Sequence, residues 1–221
     1  MKIKNLQLAM MSVGLAGAMS ASATTVQFVN VDPSQTVNLV DPWISTGVYA
    51  GIYNLIVDGV ATPSFCIDVA DENNGSAFTD YYYTDLASAP LAPAGPMGSA
   101  AATDIEKLWA AYYSPSMGSQ DAAALQVAIW EDIAAKATTP YSITVSGNDP
   151  NDAIYSEAAG MIANLPNLNI QADLMGLVGP NGPNNEQSYV VAVPEPTTAG
   201  CFLLGLGALV CWQRLAQKRR S

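Results

Sequence analysis

Along the first third of the chain the apolar positions come in short runs rich in β-branched and aromatic residues. Val26, Phe28 and Val29 make one run and Val37, Leu39 and Val40 another, which predicts strands over 26–29 and 36–40. Residues 47–57 carry Val48, Tyr49, Ile52, Tyr53, Leu55, Ile56 and Val57 around Gly51. Asp58-Gly59 then supplies a dipeptide favoured in tight hairpin turns, so a returning strand is expected over 64–69. Tyr81, Tyr82 and Tyr83 centre a further strand over 79–84.

The pattern changes after a loop rich in Pro, Gly and Ala over 87–102. Thr103 and Glu106 have the spacing of a capping box and predict a helix from there to about Tyr113. Ser119 is a candidate cap for a second helix over 120–136, stopped by Thr139-Pro140. Asp149-Pro150 predicts the start of a third, with Ile154, Ala158, Met161 and Ile162 on one stripe and an end near Pro166. Residues 187–193 read as a last strand. Strands, then helices, then a strand, with no internal repeat, predict an α+β domain: an antiparallel β-sheet or barrel with a three-helix insertion.

Composition narrows the chemistry. The chain has 221 residues, 50% of them hydrophobic, and no His. One domain with targeting segments fits that length. Without His, neither a Ser-His-Asp nor a Cys-His hydrolase can be built from this chain, nor a His-ligated zinc site. The charges are segregated. Lys2 and Lys4 open the chain, and Arg214, Lys218, Arg219 and Arg220 close it. Between them lie only Lys107 and Lys136 against all nineteen acidic residues, a net of −17. That field repels nucleic acid and anionic membrane surfaces, so neither is an expected partner of the central region. It suits an extracellular domain.

Both ends read as targeting segments. Lys2 and Lys4, the apolar stretch 6–18 and Ala21-Ser22-Ala23 form a secretory signal peptide over 1–23, with a cut expected before Thr24. At the other end, the fourteen apolar residues 199–212 would span roughly 21 Å as a helix, against ~30 Å for a bilayer core. The basic tail directs that end to the cytoplasm. Pro194-Glu195-Pro196, a short apolar helix and a basic end, in that order over 194–221, resemble the PEP-CTERM sorting signal of Gram-negative bacteria. The resemblance implies recognition by an exosortase, a membrane Cys protease. It further implies a single-pass inner-membrane intermediate and delivery to the cell surface or an exopolysaccharide biofilm matrix.

Removal of the tail takes Cys201 and Cys211 with it and leaves Cys66 as the sole cysteine of the domain over 24–193. An exported protein usually pairs its cysteines or has none. Three explanations stand open: a small buried hydrophobe, a partner for another chain, or a reactive group. On a helical wheel of 120–136, Gln126 sits amid Ala122, Ala123, Ile129, Trp130 and Ile133, all within about 60° of it. A buried amide needs a partner: a backbone group, a tyrosine hydroxyl, or a covalent bond.

Phe65-Cys66-Ile67 and, sixty residues on, Leu125-Gln126-Val127-Ala128-Ile129-Trp130 resemble the thioester domain of bacterial surface adhesins. The resemblance implies that the Cys66 sulfur and the Gln126 side-chain carbonyl join with loss of ammonia, and that the thioester then acylates a surface amine. Phe65 and Trp130 are the aromatic positions of the two motifs. Tyr82, with Tyr81 and Tyr83, is expected to help shield the bond from water. A relative that keeps Cys66 and Gln126 as a hydrogen-bonded pair is the other form.

Other signals carry less. Asp68, Asp71 and Glu72 before Gly75 lack EF-hand spacing and read as an acidic turn. Glu131 and Asp132 fall away from the apolar stripe, as for a solvated face. Lys107 and Lys136 have polar neighbours, which disfavours an isopeptide bond. No phosphate loop is present, and no cofactor, metal site or enzymatic activity is expected. The sequence thus predicts adhesion or cross-linking through a Cys-Gln thioester. The alternative is a noncovalent structural or carbohydrate-binding component of the extracellular matrix.

Overall fold

The structure, a computed structural model, describes residues 23–71, 77–91, 95–146, 153–179 and 186–193. The sorting motif Pro194, Glu195 and Pro196, the tail Arg214, Lys218, Arg219 and Arg220, and all but the last residue of the expected signal peptide lie outside them. Among the described residues no helix is long and apolar enough to cross a membrane.

Among the described residues nine strands and three helices follow one another. β1 (Thr24–Val40), β2 (Ser45–Val57), β3 (Val60–Cys66) and β4 (Ala77–Asp85) come first. A short 3-10 turn (Leu86–Ser88), β5 (Pro90–Leu91) and β6 (Gly95–Pro96) lead into α1 (Gly98–Tyr112) and α2 (Ser119–Lys136). β7 (Thr144–Ser146), α3 (Ala153–Asn164) and a 3-10 turn (Leu165–Asn167) precede β8 (Leu174–Val178) and β9 (Tyr189–Ala192). The main sheet is antiparallel, in the order β2-β3-β9-β8-β4-β1-β7, and β1 also pairs with β2. The expected α+β class, an antiparallel sheet with three helices, is observed. The β1–β2 pairing closes six of the strands into a ring.

The two expected strands at 26–29 and 36–40 are one. Pro33 interrupts the apolar pattern but not the strand, because the β1–β2 register shifts between Val31 and Ser34 and leaves Asp32 and Pro33 out of the ladder. A residue without an N–H is tolerated at such a bulge. Opposite it lies Gly51, with φ 156°. A Cβ there would collide with the Pro33 carbonyl oxygen and the Ser34 backbone, so the bulge requires a glycine. The Asp58-Gly59 turn joins β2 to β3 with φ 49° and 84°, the left-handed pair that such a turn demands.

The helices start differently from expectation. α1 begins at Gly98, not at Thr103, and Met97 rather than a hydroxyl residue precedes it. Burial of Ala101, Ala102, Ile105, Leu108 and Trp109 sets its extent, and the supposed capping box lies inside it. Gly118, not Ser119, precedes α2, with no side-chain cap. The Asp149-Pro150 start falls outside the described residues. Within α3, Ile154, Ala158 and Met161 are buried as expected. β7 and β8 were not legible as strands.

α2 is the central helix. Residues 122–130 are buried on every side, as are Asp132, Ile133 and Ala134. The solvated face expected at Glu131 and Asp132 is therefore wrong for Asp132. Its carboxylate meets Lys136, one turn on, and Lys136 also meets Asp104 of α1. That pairing makes its burial tolerable.

Candidate functional site, a buried cysteine held against a glutamine

Cys66 is the last residue of β3, fully buried. Opposite Tyr189 of β9, it occupies a position whose ladder bond on that side is made by the next residue, Ile67 N–H to the Ser188 carbonyl, 3.0 Å. Antiparallel alternation turns the Cys66 N–H and C=O the other way, toward β2. The β2–β3 ladder has ended there, at Tyr53 and Ser64. Two buried backbone groups are thus left without a strand.

Gln126 takes the strand's place. Its Oε1 accepts from the Cys66 N–H at 2.9 Å, and its Nε2 donates to the Cys66 carbonyl at 2.9 Å. The side chain is fully buried. The wheel position expected for Gln126 is the observed one, and of the partners left open it has a backbone group. An amide carbonyl is therefore polarised by a backbone N–H beside a thiol on the same residue as that N–H.

The Cys66 thiol donates to the Asp68 carbonyl at 3.0 Å, and the Asp68 N–H approaches Sγ at 3.4 Å. Burial pushes the thiol pKa far up, and the nearby Asp68 charge adds to this. The hydrogen bond with the Asp68 backbone and the neighbouring Trp130 indole work the other way. Trp130 is 2% exposed, and its Nε1 completes no hydrogen bond of normal geometry. It is a donor that strengthens its interaction when sulfur becomes charged.

Asp68 is itself buried, and its carboxyl is pushed up to about 9, first by burial and then by the charge of Asp71 and a hydrogen bond with it. At neutral pH it holds a proton. Gln187 pins this segment, with Nε2 donating to the Asp68 and Asp71 carbonyls at 3.3 and 3.4 Å.

Of the other expected residues, Phe65 is fully buried and meets Trp109 and Tyr113 edge-on at 5.3 and 6.1 Å. It anchors the end of β3 to α1. Among the three tyrosines, Tyr81 turns inward and donates to the Gln187 carbonyl at 2.9 Å, whereas Tyr82 is half-buried. Strand alternation allows only one of two neighbours to face the site. Of the expected shielding tyrosines it is thus Tyr81, not Tyr82, that faces the site, and Asp68 and Gln187 are site residues that the sequence reading does not single out. A carboxylate two positions after Cys66 in an apolar run was the available signal for Asp68, but Gln187 offered none.

Beside Trp130 lies a cavity of about 820 Å³. Phe28, Val31, Ile44 and Val48 of the β1–β2 ribbon and its connecting turn line it, with Asp71 and Gln187 among its few polar groups. Among the described residues no cluster is arranged to hold a metal.

Fold and site together define an α+β domain whose core holds a cysteine and a glutamine in contact. Comparison with family models, curated proteins and solved structures finds no match.

Proposed function

We propose that this chain is an exported surface or matrix protein that acts in adhesion or cross-linking through a thioester between Cys66 and Gln126. The observation that carries this reading is the pair of 2.9 Å hydrogen bonds between the Gln126 amide and the Cys66 backbone. Those bonds fix the Gln126 amide on the backbone of the residue that carries the thiol, out of water, which supports the proximity that an acyl transfer requires.

The chemistry balances within the chain. The Cys66 sulfur adds to Gln126 Cδ, with the Cys66 N–H donating to the carbonyl oxygen as negative charge grows on it. The C–N bond breaks, the thiol proton goes to the departing nitrogen, and ammonia leaves. A primary amine of the target later attacks the same carbon. The C–S bond breaks, Cys66 regains its proton and the target is held by an amide. The Trp130 N–H beside the sulfur favours that departure. Targeting follows the PEP-CTERM-like end, with an exosortase as the export partner. No cofactor or turnover is required.

The same two hydrogen bonds also give both polar atoms of a buried amide a partner. That favours, as second reading, a noncovalent component of the matrix in which Gln126 merely completes the sheet. Intact mass separates the two. The thioester form weighs one ammonia less than the sequence, and methylamine restores mass while freeing the thiol. A full sequence mass with a thiol that titrates on unfolding, with or without amine, overturns the covalent reading.

A further inference from the structure

We propose that the cavity between the β1–β2 ribbon and Trp130 is a binding site for a neutral amphiphile, an apolar chain ending in a hydroxyl. The proposal is independent of the Cys66–Gln126 chemistry.

Protein interiors are close-packed and leave few voids larger than a water molecule. A space of about 820 Å³ has the size of a ligand pocket. Its walls are mainly aliphatic and aromatic, from Phe28, Val31, Ile44, Val48 and Trp130. Among the polar lining residues Asn30, Thr46, Asp71 and Gln187, the last carries the most chemical information. Gln187 lines the cavity, is 7% exposed, and uses its Nε2 on the Asp68 and Asp71 carbonyls. Its Oε1 is buried and completes no hydrogen bond of normal geometry, and the Tyr53 side chain, which approaches Gln187 from the same lining, gives its hydroxyl to the Tyr49 carbonyl at 3.1 Å. A buried acceptor left unpaired is costly, and an occupant with a donor relieves that cost.

Asp71, also in the lining, sharpens the choice of head group. The acceptor of Gln187 requires a donor, and the Asp71 carboxyl, already hydrogen-bonded with that of Asp68, adds further acceptor capacity. A fatty carboxylate offers only acceptors and adds like charge. A hydroxyl donates to Gln187 or Asp71 without bringing charge into an apolar space. The exposed Tyr49 and Val29 also line the cavity, so the apolar chain has a route in from solvent.

The test uses the full-length chain held in amphipol, titrated with 1-decanol, decyl methyl ether and decanoate, with tryptophan fluorescence and native mass spectrometry as readouts. Decanol should bind saturably at one per chain. The ether, which cannot donate, should bind roughly five- to tenfold more weakly, and decanoate more weakly still. Val48→Trp, which fills the cavity, should abolish binding. Thr46→Trp, at an exposed lining position, should weaken it even if the first variant fails to fold. Gln187→Leu should erase the preference of decanol over the ether. Absence of saturable decanol binding overturns the proposal. So does equal binding to wild type and both tryptophan variants, which would place the ligand on the amphipol or elsewhere on the chain. Decanoate binding as tight as decanol overturns the head-group assignment.

Discussion

The Gln126 side chain pairs with the Cys66 backbone as a neighbouring strand would, accepting from its N–H and donating to its C=O, both at 2.9 Å. A helix thereby completes a sheet at the point where β2 and β3 part. Because both partners of Gln126 belong to one residue, its amide has a single orientation that serves both.

That orientation makes Gln126→Glu informative. The exchange replaces the donor facing the Cys66 carbonyl with a second acceptor. At pH 7.5 the variant should lose about 2–4 kcal/mol of stability. A buried carboxyl has a raised pKa, so the loss should shrink at pH 5, where the protonated acid donates as the amide did. Urea unfolding at the two pH values checks this. An unchanged midpoint at pH 7.5 is the result that excludes the two-bond geometry.

Asp68 predicts a pH dependence for the wild type. Its folded pKa of about 9 lies above the ordinary 3.8. The folded state therefore binds more protons than the unfolded one between those values, and stability falls as pH rises from about 4 to about 9. Asp132, pushed up to about 6 chiefly by burial, adds the same sign over the lower part of that range. Asp68→Asn keeps the shape and removes the titration. It should flatten the slope above pH 6 and reduce the slope below it to the part that Asp132 contributes. Thermal midpoints at pH 5, 6.5 and 8 measure both, and a wild type most stable at pH 8 would contradict the assignment.

Much of this site was legible before the fold was known. The wheel centred Gln126 because Ala122, Ile129, Trp130 and Ile133 share its face, and helical period is a strong signal over eighteen residues. The Asp58-Gly59 turn announced itself for a similar reason, since few residues accept two positive φ values. The failures have equally local causes. β1 looked like two strands because Pro33 sits in a bulge whose existence depends on Gly51, eighteen residues away. Tyr81 and Tyr82 are indistinguishable in sequence, and the pleat alone decides which faces inward. β8 is five residues around Gly176, whose missing Cβ makes room for Ala89. Gln187 does its work through carbonyls of residues more than a hundred positions away, which no local pattern encodes.

Gly51→Ala should be severe. The new Cβ meets backbone of β1, not a side chain that can rotate away. A loss above about 3 kcal/mol is expected, or no folded product, compared with less than about 1 kcal/mol for Gly160→Ala on α3, where nothing lies within 4 Å of the added carbon. Melting of the two variants side by side gives the comparison. Similar midpoints would mean that the ribbon is not held as described.

Trp130→Phe tests the donor beside the sulfur. The indole N–H has no normal hydrogen bond to lose in the resting state. It matters when C–S cleavage charges the sulfur. In the thioester form, release of the Cys66 thiol by methylamine should slow by roughly tenfold, the effect of about 1.4 kcal/mol on a transition state. Thiol release followed by a chromogenic disulfide reads the rate. Unchanged kinetics would confine Trp130 to packing.

The position of β9 has a mechanical consequence. Any tension carried by the chain beyond Val193 enters the domain along β9, and β9 lies between β3 and β8. Antiparallel hydrogen bonds run across the strand direction. A pull along β9 therefore shears both of its ladders at once instead of opening them one bond at a time. The strand next to it ends in Cys66, opposite Tyr189. A target grasped at Cys66–Gln126 would thus be tethered one strand from the line of force, with the load shared by bonds on either side of β9.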